Sequence, residues 1–165
     1  MNPFVCRNDC LLIVDLQKGF EPSKKLLNRI EQEARKYSII AMTQFFNEPN
    51  SLYRTVLGWN GDGGELALQI PGSIIIEKSG YGLTREQTMK LKAISNRWHL
   101  CGLETDACVL ACAFSLWDAG ILPVILYNLC ESPLHKEGVA VAKRQFEKSR
   151  GDRKQTDFPT CEMVK

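Results

Sequence analysis

Gly-Leu-Glu-Thr-Asp-Ala-Cys-Val, residues 102–109, follows an apolar run at residues 98–102 and leads into a helical pattern. A strand that passes directly into a helix is a building unit of parallel α/β sheets. Cys108 then falls in the first turn of the helix, where unpaired backbone N–H groups and a partial positive charge favour a thiolate and can bind an oxyanion. The stretch therefore predicts both a parallel sheet and a nucleophilic cysteine.

On both sides of this stretch, short apolar runs alternate with amphipathic ones, as in a parallel sheet with crossover helices. The predicted strands lie at residues 11–15, 38–43, 73–78, 98–102 and 121–127, and the predicted helices lie close to residues 23–37, 84–95, 105–120 and 132–150. Thr105 or Asp106 is the expected N-cap of the third helix. The weakly patterned tail, residues 151–165, has room for a short edge strand.

The long stretch at residues 44–72 is rich in asparagine, glycine and aromatic residues. Loops of this length are uncommon in compact domains unless they serve a function. We therefore interpret it as a functional insertion, with a short helix around residues 65–69.

Bulk composition narrows the class of protein. The chain has 165 residues, 44% of them hydrophobic and 24% charged, with a formal net charge of +2. This predicts a single domain over residues 1–165 and gives no charge excess that would indicate nucleic acid or a membrane as partner. A small-molecule substrate is the expectation that remains.

Cysteine content and apolar runs bear on location. The seven cysteines are an odd number, and no apolar signal segment follows Met1. Reduced thiols and a cytoplasmic location are therefore expected. No stretch approaches the roughly 20 apolar residues of a membrane span.

Three reactive side chains lie at or just beyond the ends of predicted strands. Asp15 closes the first strand, Lys78 closes the third, and Cys108 follows the fourth. Parallel strands place their carboxyl ends at one edge of the sheet, where ligand crevices form. A carboxylate near the thiol can take its proton, and an ammonium can stabilise both charges. The three residues therefore form a candidate nucleophile, base and orienting group.

Other titratable residues are better explained by packing. Cys108 and Cys112 are four residues apart on one predicted helix, but no second pair of ligands completes a zinc site. His99 lies inside a strand, and His135 starts a helix where local capping is the simpler role. No metal and no cofactor are therefore expected.

These motifs resemble those of the isochorismatase-like cysteine hydrolase superfamily, which includes nicotinamidases and N-carbamoyl amidohydrolases. The resemblance spans nearly the whole chain and rests on residues 12–17 with Phe20, on residues 78–81, and on residues 102–109. It implies a three-layer α/β/α Rossmann-like fold with a six-stranded, mostly parallel sheet in the order 3-2-1-4-5-6. The resemblance also allows a homo-oligomer, a dimer or a tetramer, without choosing between them.

The resemblance also implies a catalytic triad and its partners. Asp15, Lys78 and Cys108 match the triad, and the backbone N–H groups of Glu104 and Cys108 match the oxyanion hole. A non-proline cis peptide bond is implied between Leu103 and Glu104. An Asp15 carboxylate would accept the thiol proton, and Cys108 would form a thioester with the substrate.

Departures from the family pattern narrow the substrate. Nicotinamidases follow the second strand with an Asp-x-His motif that binds a metal, whereas residues 43–47 read Thr-Gln-Phe-Phe-Asn. A metal-assisted nicotinamidase is therefore disfavoured. The cysteine itself indicates a C–N bond beside a carbonyl. Candidate pocket residues come from the loops near the crevice: Phe20, Phe45, Asn47, Trp59 and Tyr81.

The leading hypothesis is a metal-independent cysteine hydrolase that cleaves a small amide or ureido C–N bond through a thioester. Two alternatives stay open, a catalytically silent binding protein of the same fold and a metal-independent nicotinamidase-like enzyme. A thiol redox protein is weaker because the sequence has no Cys-x-x-Cys motif.

Overall fold

The computed structural model describes residues 10–149, which form five strands and five α-helices. The strands are β1 (Cys10–Val14), β2 (Ile39–Phe45), β3 (Ile74–Lys78), β4 (Arg97–Leu103) and β5 (Leu122–Glu131). The helices are α1 (Lys24–Ala34), α2 (Leu52–Thr55), α3 (Arg85–Ile94), α4 (Leu110–Asp118) and α5 (His135–Ser149). The strands and helices thus alternate as the periodicity predicts, with boundaries that shift by a few residues.

All five strands are parallel and pair in the order β3-β2-β1-β4-β5. This confirms the predicted α/β class and the order of the first five strands. The edge strand suggested for residues 151–165 lies outside the described residues. Strand β1, at the centre of the sheet, is fully buried along its whole length, as its continuous apolar sequence predicts.

Helices cover both faces of the sheet. Helix α1 buries Leu26, Ile30 and Ala34, which recur at helical spacing, and Ser23 caps its first turn. Helices α3, α4 and α5 pack side by side, with Phe114 of α4 against Phe146 of α5. Right-handed crossovers place α1 on the face opposite to this group. Among residues 10–149, no helix combines the length and apolar character that crossing a bilayer requires.

Strands β1 and β4 approach closely just before the reactive residues. Gly102 has a φ of +115°, and a Cβ atom there would lie 2.2 Å from the backbone oxygen of Val14. Only glycine fits this approach without moving the backbone. The end of β1 is thereby held beside the turn that carries Cys108.

Two local predictions are wrong. The short helix of the insertion lies at Leu52–Thr55 instead of residues 65–69, because the Ser51 side chain accepts a hydrogen bond from the Arg54 N–H and caps it there. The segment around Leu66 instead bridges Gln17. After β4, neither Thr105 nor Asp106 acts as N-cap: Glu104 holds that position without a side-chain bond, and residues 105–109 form a π-helical turn.

Candidate active site

Asp15, Lys78 and Cys108 meet at the carboxyl edge of the sheet. The Lys78 Nζ lies 2.7 Å from Asp15 Oδ2, and both side chains are 1% exposed. Cys108 lies with Asp15 in the wall of one cavity, and both Asp15 and Lys78 influence the pKa of its thiol. Because β2 separates β1 from β3, the Lys78 side chain crosses the end of β2 and lies over the Phe45 ring, 5.4 Å from its centre. The structure brings the three predicted residues together.

Asp15 is held by a residue that the sequence did not single out. The Thr43 hydroxyl accepts a hydrogen bond from the Asp15 N–H at 2.9 Å and donates one to Asp15 Oδ1 at 2.6 Å. The hydroxyl thus bonds both the backbone and the side chain of Asp15. The only signal in the sequence is a threonine in an otherwise apolar part of the second strand. Thr43 fixes the carboxylate so that Oδ2 faces Lys78 and Cys108.

Lys78 has a partner for each of its protons. Its ammonium donates to Gly80 O at 2.7 Å and to Tyr81 O at 3.2 Å, in addition to its contact with Asp15. Burial, the largest cause, lowers the pKa of Lys78, but the interactions with Asp15, Cys108 and Cys112 together outweigh it and raise that pKa. Lys78 therefore stays an ammonium ion, which suits it to orient Asp15 rather than to accept a proton.

Cys108 is a protonated thiol at rest, which corrects the expectation of a thiolate. Burial first, and then the negative charge of Asp15, raise the pKa of Cys108 to about 12, although Lys78 acts in the opposite direction. The helix start was expected to lower this pKa, but partial burial and the charge of Asp15 outweigh that local effect. Nucleophilic attack consequently requires transfer of the proton, and Asp15 is the adjacent base.

The turn before Cys108 has the implied backbone geometry. The Leu103–Glu104 peptide bond is cis. The N–H groups of Ala107 and Val109 both donate to Glu104 O at 3.1 Å, which fixes the turn around the thiol. The oxyanion role of the Glu104 and Cys108 N–H groups stays a prediction.

A cavity of about 190 Å³ opens beside the thiol. Half of its lining residues are aromatic, and the lining consists of Asp15, Phe20, Phe45, Tyr53, Leu57, Trp59, Tyr81, Leu103, Glu104 and Cys108. Four of the five candidate pocket residues therefore lie in the wall, and the fifth does not. Sequence reasoning missed Tyr53 and Leu57, which belong to the short helix of the insertion and its end. The volume is below the roughly 300–1,000 Å³ of pockets for drug-sized ligands, so the cavity fits a small molecule.

Asn47, the fifth candidate, does not line the cavity but holds the loop segment that forms part of its wall. Its side chain is 1% exposed and donates to Trp59 O at 3.2 Å and to Gly61 O at 2.7 Å. These bonds hold the segment that presents Trp59 to the cavity. Asn47 is therefore a positioning residue, because its amide nitrogen donates to the loop backbone and its amide oxygen accepts from the Ser51 hydroxyl.

Comparisons with known proteins agree on the fold. No protein-family model and no curated protein matches the sequence. Among solved structures, pyrazinamidase of Pyrococcus horikoshii in complex with zinc superposes with a TM-score of 0.74 at 22% identity, over 87% of this chain and 96% of that one.

Two further solved structures show the same similarity. An isochorismatase-like hydrolase from Alkaliphilus metalliredigens has a TM-score of 0.73 at 14% identity, over 86% of this chain and 92% of that one. N-carbamoylsarcosine amidase from Thermoplasma acidophilum has a TM-score of 0.68 at 17% identity, with the same coverage. The chain has the isochorismatase-like hydrolase fold, as the sequence motifs imply.

The residues after β2 do not fit a zinc ion. Within residues 10–149, no three His, Cys, Asp or Glu side chains are grouped so that they could hold a metal. Strand β2 ends at Phe45, and Phe46 and Asn47 follow it. Because the Asn47 amide is already bonded to the loop backbone, this position lacks a set of donors for a metal.

Proposed function

We propose that the protein is a metal-independent cysteine hydrolase that cleaves a small amide or ureido C–N bond through a thioester. The observation that carries the proposal is that Asp15, which forms an ion pair with Lys78, lies with Cys108 in the wall of a small cavity. A buried carboxylate and a buried ammonium have no packing reason to meet beside a half-buried thiol, since each charged group is costly to bury. The amidases among the solved structures with this fold support the same class of reaction.

The first half of the reaction forms the thioester. As Cys108 Sγ attacks the carbonyl carbon, its proton passes to Asp15 Oδ2 and the carbonyl π electrons move to the oxygen. The N–H groups of Glu104 and Cys108 bind that oxyanion, and removal of one such donor costs roughly 3 kcal/mol in related enzymes. The C–N bond then breaks, and Asp15 gives the proton to the departing nitrogen.

The second half restores the enzyme. Asp15 accepts a proton from water as the water oxygen attacks the thioester carbon. The C–S bond breaks, the acid product leaves, and Asp15 returns the proton to Cys108. Lys78 keeps its charge throughout, because its three protons are held by Asp15 and two backbone oxygens.

The same proposal covers the wider setting of the protein. The substrate is a small molecule, consistent with the cavity of about 190 Å³. Residues 1–165 form a single domain that works in the cytoplasm, and assembly into a dimer or tetramer is compatible with it.

Ammonia release across a panel of primary amides and ureido compounds tests the activity. We expect turnover by the wild type and a loss of at least about a thousandfold in Cys108→Ala, since the nucleophile is removed. Cys112→Ala, which removes a buried thiol one helical turn away, is the matched control and keeps the nucleophile. Activity that survives in Cys108→Ala overturns the proposal, and a protein that only binds the amides identifies it as a silent member of the fold.

A further inference from the structure

Glu104 brings a second carboxylate to the cavity, in addition to its proposed backbone role. It lines the cavity next to Cys108 and also the adjoining groove, whose wall shares Phe20 and Leu103 with the cavity. Its side chain is neither fully buried nor fully exposed. A ligand bound at Cys108 therefore lies beside this acidic residue, where cavity and groove join.

The Glu104 carboxylate has no positive partner within residues 10–149. Burial, followed by the negative charges of Asp106 and Asp15, raises the pKa of Glu104, and no cation acts in the opposite direction. Lys25 and Lys136 line the adjoining groove but are not among the groups that affect this pKa. The other acid of the cavity wall, Asp15, is paired with Lys78. Glu104 is thus the uncompensated charge of the cavity wall.

The rest of the wall suits a positive group as well. Phe20, Phe45, Tyr53, Trp59 and Tyr81 form one connected set, with neighbouring ring centres 5.2 to 6.2 Å apart. Aromatic faces attract ammonium and guanidinium groups through the ring quadrupole, most strongly where water is excluded. The carboxylate and the rings therefore favour the same ligand charge, whereas an anionic ligand would meet an unpaired acid.

We propose that Glu104 is a specificity-determining residue that selects amides whose acyl part carries a cationic amine. The scissile carbonyl lies at Cys108, and the cation lies between the Glu104 carboxylate and the aromatic wall. This inference rests on the proposed function, since it assigns the substrate class of the same site.

The test uses two amides of equal shape and different charge. 4-(Trimethylammonio)butanamide carries a permanent cation, and 5,5-dimethylhexanamide replaces its nitrogen with carbon. We would measure kcat/KM for both compounds in the wild type, in Glu104→Gln and in Glu104→Asp. The ratio of the two values within each protein cancels any effect of the substitution on the Glu104 backbone or on the oxyanion.

We expect the wild type to favour the cationic amide by about tenfold, within the range of one desolvated cation–π or charge contact. Glu104→Gln should reduce that ratio to about one, and Glu104→Asp should retain part of it. A purely structural role would change both amides equally. An unchanged ratio in Glu104→Gln overturns the inference and leaves the proposed hydrolase activity in place.

A binding measurement separates failure of the inference from failure of the proposed function. If the wild type cleaves neither amide, calorimetry on Cys108→Ala, with and without Glu104→Gln, compares the affinities for the same two compounds. Tighter binding of the cation that depends on Glu104 supports the selectivity and counts against hydrolysis of these amides. Equal binding of the two compounds overturns the selectivity.

Discussion

The site has two halves that are built in different ways. One half is the carboxyl edge of the sheet, and the other is the loop between β2 and β3, residues 46–73. At the sheet edge, Asp15 and Lys78 lie at strand ends and contact each other through side chains. The loop contains one short helix, Leu52–Thr55, and side chains bonded to its own backbone keep its shape. The comparison teaches that strand geometry places the reactive groups, while local hydrogen bonds shape the wall that meets the substrate.

The bonds that hold the loop converge on a few polar side chains. Gln17 donates to Phe45 O at 3.1 Å and to Gly64 O at 2.8 Å, which ties the end of β2 to the end of the insertion. Arg54 donates to Asn47 O and to Asn60 O, both at 3.0 Å. Loss of a side chain that bonds only within the loop, such as Arg54, should therefore alter the wall without moving the sheet edge.

The largest effect that separates the two halves is expected from Asp15→Asn. Turnover should fall by about 10²- to 10⁴-fold, because the thiol loses its base. Alkylation of Cys108 by iodoacetamide should accelerate at the same time, because the charge that raises the pKa of Cys108 is gone while Lys78 remains. Mass-mapped alkylation rates between pH 7 and 10, beside the ammonia assay, measure both effects.

A matched variant, Lys78→Met, should change the alkylation rate of Cys108 in the opposite direction. Lys78→Met removes the charge that lowers the pKa of Cys108, so alkylation should be slower than in the wild type. In the folded wild type the rate should keep rising with pH toward the Cys108 pKa of about 12, since the thiolate fraction grows up to that value. A plateau below pH 8.5 would contradict a protonated resting thiol.

An intermediate effect is expected from Asn47→Ala in the loop. The variant leaves two backbone oxygens of the loop without their donor, which costs about 1–3 kcal/mol of unfolding free energy. The KM should rise by about tenfold with a smaller change in kcat, because the wall moves while the triad stays. Steady-state kinetics and denaturant unfolding test this. Asn50→Ala, an exposed neighbour in the same loop, is the control and should be near neutral. A large fall in kcat with KM unchanged would show that the two halves are not separable.

The two halves also differ in how far their residues could be predicted from the sequence. The ends of apolar strands share one edge, so Asp15 and Lys78 were predictable from topology alone. The position of Asn47 behind the wall was not, because it depends on hydrogen bonds to the backbone of Trp59 and Gly61 that follow no period. The four aromatic candidates line the cavity because the segments that carry them lie at this edge of the sheet.

The protonation state of Cys108 could not be predicted from the sequence for a related reason. A helix start lowers the pKa of a thiol by a local effect that the sequence displays, whereas burial and the charge of Asp15 come from residues distant along the chain. Thr105 is a second example: its hydroxyl is buried without a hydrogen bond within residues 10–149, instead of capping the turn. Tertiary packing outweighs the local signal in both cases.

The smallest effect is expected from Thr43→Val, which keeps the shape of the side chain and removes its hydroxyl. The Asp15 N–H and Oδ1 each lose a partner, so stability should fall by about 1–3 kcal/mol and kcat by severalfold. Thr43→Ser keeps the hydroxyl and should restore most of the kcat. If Thr43→Val keeps its kcat while Thr43→Ser loses it, the methyl group rather than the hydrogen bonds positions Asp15.

Acid quenching during turnover, followed by intact and peptide mass spectrometry, tests the central claim most directly. The substrate is the amide that gives the fastest ammonia release, and Cys108→Ala is the blank. The account predicts that the protein gains the mass of the acyl group, carried by the peptide that contains Cys108 and removed by hydroxylamine. Turnover that leaves Cys108 unmodified while the adduct appears on Cys112 or another residue would contradict it.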